Sequence, residues 1–242
     1  MSEAIEISVV VPVKDEAGNV VPLAREIAAA LEGERYEMIF VDDGSGDATA
    51  AELLSLRGQM PLRVLKHGKN LGQSRALRTG VRAAKAPIVV TLDGDGQNDP
   101  GDIPKLIAAF RAAAANPDFA MVAGERAKRE DSWKKRIASN YANRLRRWLL
   151  SDEAKDSGCG LKAFRREAFL ALPYFDHMHR YLIALMLREG YEVSFMPVNH
   201  RPRGAGRSKY GVWDRALAGL LDLMGVMWLK RRFRGPDTPK EL

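Results

Sequence analysis

Two carboxylates separated by one glycine stand at Asp93-Gly94-Asp95, followed by Gly96 and Gln97. Carboxylates held close by small neighbours can share one hard cation, Mg2+ or Mn2+, which completes its shell with phosphate oxygens. The same spacing also serves a plain strand-end turn, where Asp and Gly satisfy backbone groups. A second acidic pair, Asp42-Asp43, precedes Gly44-Ser45, with Pro12-Val13-Lys14-Asp15-Glu16 upstream. A carboxylate there can accept hydrogen bonds from a base edge or from ribose hydroxyls. The plainer use is to favour the positive end of the helix that follows. His177 and His179, at i and i+2, could share a metal on a strand but not on a helix face. A helix start is expected there, so they read as structural or acceptor-side residues. Cys159 is the single cysteine, which excludes an internal disulfide and a cysteine-based zinc site and leaves a packed thiol.

These residues need elements to hold them. Short apolar runs at 5–13, 37–41, 62–65, 88–92 and 119–123 read as strands, the last closing at Gly124. Helical patterns lie between them at 20–31, 48–57 (with Asp47 as N-cap), 72–84 and 103–115. Strand–helix alternation predicts a parallel sheet covered by helices on both faces, with ligands beyond the carboxyl ends of the strands. Both acidic pairs fall at such ends, hence on one rim. The second half is less regular. A helix is expected over 132–150, with Trp133, Ile137, Tyr141, Leu145, Trp148 and Leu149 on one face and six Lys/Arg around the rest. Another is expected over 212–229, apolar from 216 except for Asp222, with Lys230, Arg231, Arg232 and Arg234 directly after. Its apolar part rises about 21 Å against roughly 30 Å of hydrocarbon, too short to span a bilayer but able to lie in its interface. Packing on its own domain, with Lys and Arg reaching water, is the plainer use of such a pattern.

The 242 residues are 46% hydrophobic and 29% charged, enough for an α/β core and incompatible with a disordered chain. No basic stretch precedes the first apolar run, so no cleaved leader is expected and the chemistry is placed in the cytoplasm. The net charge of +7 is uneven. Residues 1–125 carry 13 basic and 18 acidic groups, whereas 126–147 and 201–234 each carry 9 basic and 2 acidic. An acidic body with two basic segments implies an anionic partner met in the second half. A phosphate-binding module for nucleic acid or membrane is the reading that needs no enzyme. Nucleic acid is disfavoured because no recognition motif occurs and the aromatics lie on one stripe. A dehydrogenase is disfavoured because no G-x-G-x-x-G follows a strand.

Taken in order, Pro12 to Glu16, Asp42-Asp43-Gly44-Ser45, Asn70-x-Gly72 and Asp93-x-Asp95-x-Gln97 resemble the signature of family 2 glycosyltransferases. Gly124-x-Arg126, the run Asp156 to Arg165, and Arg203-x-x-Gly206-x-Ser208-Lys209 resemble its dolichyl- and polyprenyl-phosphate branch. The resemblance implies a GT-A fold: α/β, Rossmann-like, a mostly parallel sheet flanked by helices, with amphipathic interfacial helices in the C-terminal half. It divides the chain into a glycosyltransferase domain over 1–211, an amphipathic helix over 212–234 and a polar tail over 235–242. Within the domain, 1–125 would be the nucleotide-sugar and metal half and 126–211 the acceptor half. By resemblance, Pro12, Val13, Glu16 and Asp43, with Asp42 beside it, would hold the nucleoside. Asp93, Asp95 and Gln97 would hold Mg2+ or Mn2+ and the diphosphate, Asp95 being the essential ligand. Arg126, Arg203 and Lys209 would orient the acceptor phosphate, with Ser208 also meeting phosphate.

The implied reaction is inverting transfer of one sugar from a UDP- or GDP-sugar to a membrane polyprenyl phosphate. A phosphate acceptor is already anionic near neutral pH and needs no strong general base, and no crowded His/Asp constellation is present. A soluble family 2 enzyme acting on a saccharide or other hydroxyl acceptor would need one. Many members carry carboxyl-terminal transmembrane helices, and none is read over 235–242. The expectation is therefore peripheral attachment at the inner face, through anionic lipid, a membrane partner or a homo-oligomer. Arg147-Trp148 is similar to part of the Q-x-x-R-W motif of processive synthases, but Arg144 stands at the Gln position, which disfavours chain elongation.

Overall fold

The computed structural model describes residues 4–126, 149–150, 152, 154, 156–202 and 212–235, the last stretch with side chains from 219 onward. The expected helix over 132–150 lies outside the described residues apart from its last two.

Branched apolar runs make the centre of the sheet. In β1 (Ile7–Val13), Ile7, Val9, Val10 and Val11 are fully buried. A strand covered by helices on both faces reads as a continuous apolar run rather than as alternation. β1 pairs in parallel with β2 (Tyr36–Asp42) on one side and β4 (Ile88–Thr91) on the other, and β3 (Leu62–Lys66) lies beyond β2. β5 (Phe119–Arg126), β6 (Lys162–Arg165) and β7 (Glu192–Val198) complete the order β3-β2-β1-β4-β6-β5-β7. β6 runs antiparallel to both of its neighbours, while β5 and β7 are parallel. One sheet therefore runs through both halves of the chain.

Successive side chains of β1 point to opposite faces. Val9 and Val11 meet α1 (Val20–Ala30), α2 (Thr49–Ser55) and α4 (Ile103–Ala113) in one apolar layer. Val10 joins α3 (Gln73–Ala83), α5 (Arg166–Ala171) and α6 (Leu182–Arg188) in the other. α7 (Val212–Arg232) adds Leu223 and Val226 to this second layer. α3 lies so close to the sheet that a Cβ at Gly80 would stand 2.3 Å from Val10 Cγ1 and 3.1 Å from Val41 Cγ2. Overpacking of this kind costs about 1–3 kcal/mol, against roughly 1 kcal/mol gained in helix propensity. Gly80→Ala is thus expected to lower the urea midpoint. An unchanged midpoint would show that α3 can move off the sheet freely.

Four details differ from the sequence expectation. β5 passes through Gly124 to Arg126, because its carboxyl end pairs with β7, with Arg126 opposite Val198. β6 and β7 were not expected at all. β6 has only two apolar residues between Lys162 and Arg165, and β7 has mostly half-buried side chains. α2 begins at Thr49 with Ala48 at its N-cap, while Asp47 Oδ1 accepts from the Thr49 N–H and hydroxyl. α7 continues through the first basic residues to Arg232. Asp222, the acid in its apolar run, accepts a hydrogen bond from His177 Nδ1 at 2.9 Å.

Candidate active site

The strand ends set the site. Val13 is opposite Asp42 across β1 and β2, and Val10 is opposite Thr91 across β1 and β4, so Asp43 and Asp93 emerge on one rim. The two leading loops are laced together. Asp15 N–H donates to Ser45 Oγ, Glu16 N–H to Thr49 Oγ1, and Gly46 N–H to Asp15 Oδ1. Asp15 sits at φ 49°, in the left-handed region that this lacing must hold.

A cavity of about 360 Å³ opens on that rim. Pro12, Val13, Glu16 and Asp43 line one part, and Asp93, Gly94 and Asp95 another. Six of the sequence-predicted residues are thus brought together. Asp43 is a hub: Oδ1 accepts from Leu71 N–H and pairs with His67 Nδ1 at 2.7 Å, and Oδ2 accepts from Gly72 N–H. This ties the Asn70-x-Gly72 loop to the end of β2.

Asp42 takes a different place. It is fully buried, accepts from Ser45 N–H, and lies 3.4 Å from Lys66 Nζ, so it holds the turn rather than lining the cavity. Gln97 also lies off the cavity lining. Its N–H donates to Asp95 Oδ1 and its carbonyl accepts from Arg201 N–H, so it braces the acidic turn. Arg126 faces Asp156, donating through Nε at 2.5 Å and Nη2 at 2.7 Å. Both prongs of its fork are engaged there, so Arg126 holds Asp156 at the end of β5. Arg203, Ser208 and Lys209 lie outside the described residues.

The sequence reading left several lining residues without a role: Gln73, Lys162 and Arg180, and the stretch Ser157 to Gly160; His179, read as structural or acceptor-side, also lines the cavity. The run Asp156 to Arg165 was legible as a motif; what hid Lys162 was its place inside a strand. It is buried beneath Asp93, and its ammonium donates to the Cys159 carbonyl. Burial lowers its pKa, opposed by the charges of Asp93 and Asp156.

Asp93 carries the electrostatic strain of the site. Burial, and then the charge of Asp95, push its pKa up to about 6, partly offset by Lys162 and by a 2.9 Å hydrogen bond from Gln73 Nε2. Two acids in one desolvated corner produce this when no cation stands between them. Gly160 closes against Asp93 so tightly that a Cβ would meet its Oδ2 at 2.3 Å. The donor set of two carboxylates suits a hard divalent ion. No cluster of three His, Cys, Asp or Glu side chains is assembled among the described residues.

His179 bridges the cavity wall to α3, with Nδ1 at 2.7 Å from Ser74 Oγ. Burial, then the charge of Arg180, lower its pKa to about 3, so the ring is neutral at pH 7. Unfolded, it would take a proton near pH 6.5. The folded state therefore binds fewer protons between those values, and its stability falls as pH drops from about 6.5 toward 3. His179→Gln should flatten that part of the stability–pH curve, measured by urea melts. An unaltered slope would contradict the assignment.

Comparison with known proteins agrees with this architecture. The sequence profile of Glycosyl transferase family 2 matches residues 8–172. Dodecaprenyl-phosphate galacturonate synthase of Rhizobium johnstonii is 33% identical over 236 residues, covering 95% of this chain and 68% of that protein. Undecaprenyl-phosphate 4-deoxy-4-formamido-L-arabinose transferase of Edwardsiella ictaluri is 34% identical over 212 residues, covering 85% and 63%. The chain thus spans about two thirds of the length of these relatives. Glucosyl-3-phosphoglycerate synthase from Mycobacterium tuberculosis, solved with Mn2+, uridine diphosphate and phosphoglyceric acid, superposes with a TM-score of 0.69 at 18% identity, over 97% of this chain and 80% of that one. That likeness establishes the shared fold. The matched profile begins at the second residue of β1 and takes in the whole acidic rim, and on that evidence the chain belongs to glycosyl transferase family 2.

Proposed function

We propose that the protein transfers a single sugar from a nucleotide-sugar to a polyprenyl phosphate, with inversion at the anomeric carbon. The observation that carries this reading is the composition of the cavity on the strand-end rim. It gathers the carboxylates Asp93, Asp95, Glu16 and Asp43 together with the cations Lys162 and Arg180. The names of the relatives supply the acceptor class.

In the reaction, an oxygen of the acceptor phosphate attacks the anomeric carbon. The bond from that carbon to the nucleoside diphosphate breaks, and the diphosphate leaves with the electron pair. A phosphate monoester is largely dianionic at pH 7, so no proton needs to be removed from the nucleophile. Asp93 and Asp95 would hold the divalent ion, Mg2+ or Mn2+. When bound, that ion offsets the charge on the leaving diphosphate, each unit pair at 4 Å contributing about 4 kcal/mol at an effective dielectric of 20. Glu16 and Asp43 would accept from the nucleoside, with Pro12 and Val13 forming its bed. Asp42 and Gln97 act behind them by fixing the turns, and Arg126 fixes Asp156. Arg203, Ser208 and Lys209 keep the acceptor-phosphate roles that the motif implies.

A lipid acceptor requires a membrane surface, and α7 offers one. Leu220, Leu221, Met224 and Trp228 are all more than half exposed on it, and Arg231, Arg232 and Arg234 follow at its end. Among the described residues, no helix is long and apolar enough to cross a membrane. We place this stripe on the anionic inner leaflet, where each nearby Lys or Arg contributes about 1 kcal/mol. Trp228→Ser combined with Met224→Ser should reduce cosedimentation with anionic vesicles severalfold. Equal binding would remove α7 from the membrane contact.

Incubation with each radiolabelled nucleotide-sugar, Mn2+ and undecaprenyl phosphate tests the reaction itself. Label should move into the solvent-extractable lipid. Label appearing only in water-soluble saccharide would overturn the reading in favour of a hydroxyl acceptor.

A further inference from the structure

The turn Met178–Tyr181 sits between the cavity and two helices, and nearly every side chain on it is committed. His177, at its N-cap with φ 64°, bonds Asp222 of α7. Met178 is fully buried. Tyr181 donates its hydroxyl to the Gly219 carbonyl of α7 at 3.0 Å. His179 is held by Ser74 of α3 twice, through Nδ1 at 2.7 Å and through its own N–H at 3.3 Å. Arg180 differs. It is half-buried, it lines the cavity, and its guanidinium makes no hydrogen bond or ion pair among the described residues.

The tautomer of His179 follows from the Ser74 pair. Ser74 Oγ already accepts from the His179 N–H and is fully buried, so its own proton finds its acceptor in Nδ1. The ring proton then sits on Nε2, which has no partner among the described residues. Arg180 and Lys162 both act on this ring electrostatically, and it stays neutral between them. Lys162 is already engaged with the Cys159 carbonyl and flanked by Asp93 and Asp156. The cavity lining therefore includes a guanidinium and an imidazole N–H that are unengaged donors among the described residues. A half-buried, unpaired arginine costs solvation that an incoming oxyanion restores.

We infer that Arg180 and the Nε2–H of His179 form the subsite that receives the phosphate head of the acceptor. This rests on the proposed reaction, and it adds to it the residues that distinguish an acceptor phosphate from an uncharged alcohol. The donor diphosphate is drawn to Asp93 and Asp95 through its metal, and the charges that act on Asp93 are those of Asp95, Lys162 and Arg126 rather than Arg180. Among the described residues, Arg180 is then a cavity cation left for the second anion, beside the roles that the motif implies for Arg203 and Lys209.

The test uses the full chain, with farnesyl phosphate as a short acceptor, farnesol as its uncharged counterpart, and UDP with Mn2+ as the donor-side probe. Arg180→Gln should weaken farnesyl phosphate binding at least about tenfold, the scale of a lost charge-assisted fork. UDP–Mn2+ affinity should stay within about twofold, as befits a residue that is not among the charges acting on Asp93. Farnesol should bind the variant and the parent alike. Arg180→Lys, which keeps the charge without the fork, should fall between, with its melting temperature confirming the fold. Equal farnesyl phosphate binding by parent and Arg180→Gln would overturn the subsite and leave the reaction standing. So would a variant that instead loses discrimination between a nucleotide-uronate and its hexose counterpart, which would give Arg180 to the donor sugar. A parent protein that binds UDP–Mn2+ but not farnesyl phosphate would overturn the acceptor class itself, and the subsite with it.

Discussion

Asp95→Ala is expected to lower sugar transfer by about a thousandfold or more while leaving the fold intact. Asp95 stands in a turn with glycine on each side and accepts a hydrogen bond from Gln97 N–H at 3.1 Å. Losing such a bond costs about 1 kcal/mol, small against the stability of a domain this size. The functional loss is of another order. One carboxylate, Asp93, would remain to hold a divalent ion, and the leaving diphosphate would keep its charge in a buried corner. Asp95→Asn separates the two effects, because the amide oxygen can still accept from Gln97. Both variants should melt within a few degrees of the parent, and both should fail to transfer. Activity retained by Asp95→Ala in Mn2+-replete buffer would refute the assignment of Asp95 to the metal.

Gly160→Ala is the second large effect, and it acts without touching a charge. The new Cβ would fall 2.3 Å from Asp93 Oδ2 and 2.5 Å from its Cγ. Asp93 is short, and its own N–H is fixed to Asn98 Oδ1 at 2.9 Å, so its carboxylate must rotate out of its corner. A misplacement of about 1 Å can cost about a hundredfold in rate. Gly158→Ala is the control, since a Cβ there meets its nearest atom, Arg126 Nη2, at 3.4 Å. Gly160→Ala should lose about a hundredfold in kcat with little change in urea midpoint, and Gly158→Ala should lose far less. Equal, small losses in both would show that Asp93 need not stand where Gly160 places it.

The first half of the chain was readable because its chemistry and its structure share one signal. The runs that become β2 and β4 are mostly apolar and lead into Asp42-Asp43 and Asp93-x-Asp95, so strand ends and candidate ligands are found together. The second half separates the two. Lys162 and Arg165 bound a four-residue strand whose register, Lys162 opposite Thr91 and Ala123, only the assembled sheet provides. Arg126 is a cation at a strand end and looks free until Asp156 is brought beside it from thirty residues away. Asp42 and Asp43 are adjacent and chemically identical, yet one is buried in a turn and the other lines the cavity, because neighbouring residues of an extended chain face opposite ways. Arg180 carried no spacing signal, and the i, i+2 spacing of His177 and His179 did not say which cavity they would meet. Their place depends on α3 and α7, which arrive from either side in sequence.

The central claim is a single inverting transfer to a phosphate oxygen, and the structure of the product tests it most directly. The lipid formed from undecaprenyl phosphate and the accepted nucleotide-sugar can be purified and read by mass spectrometry and by proton and phosphorus NMR. One sugar in a phosphodiester linkage, with the anomeric configuration opposite to that of the donor, is the predicted result. A retained anomeric configuration, a ladder of added sugars, or a sugar joined through any atom other than a phosphate oxygen would contradict it.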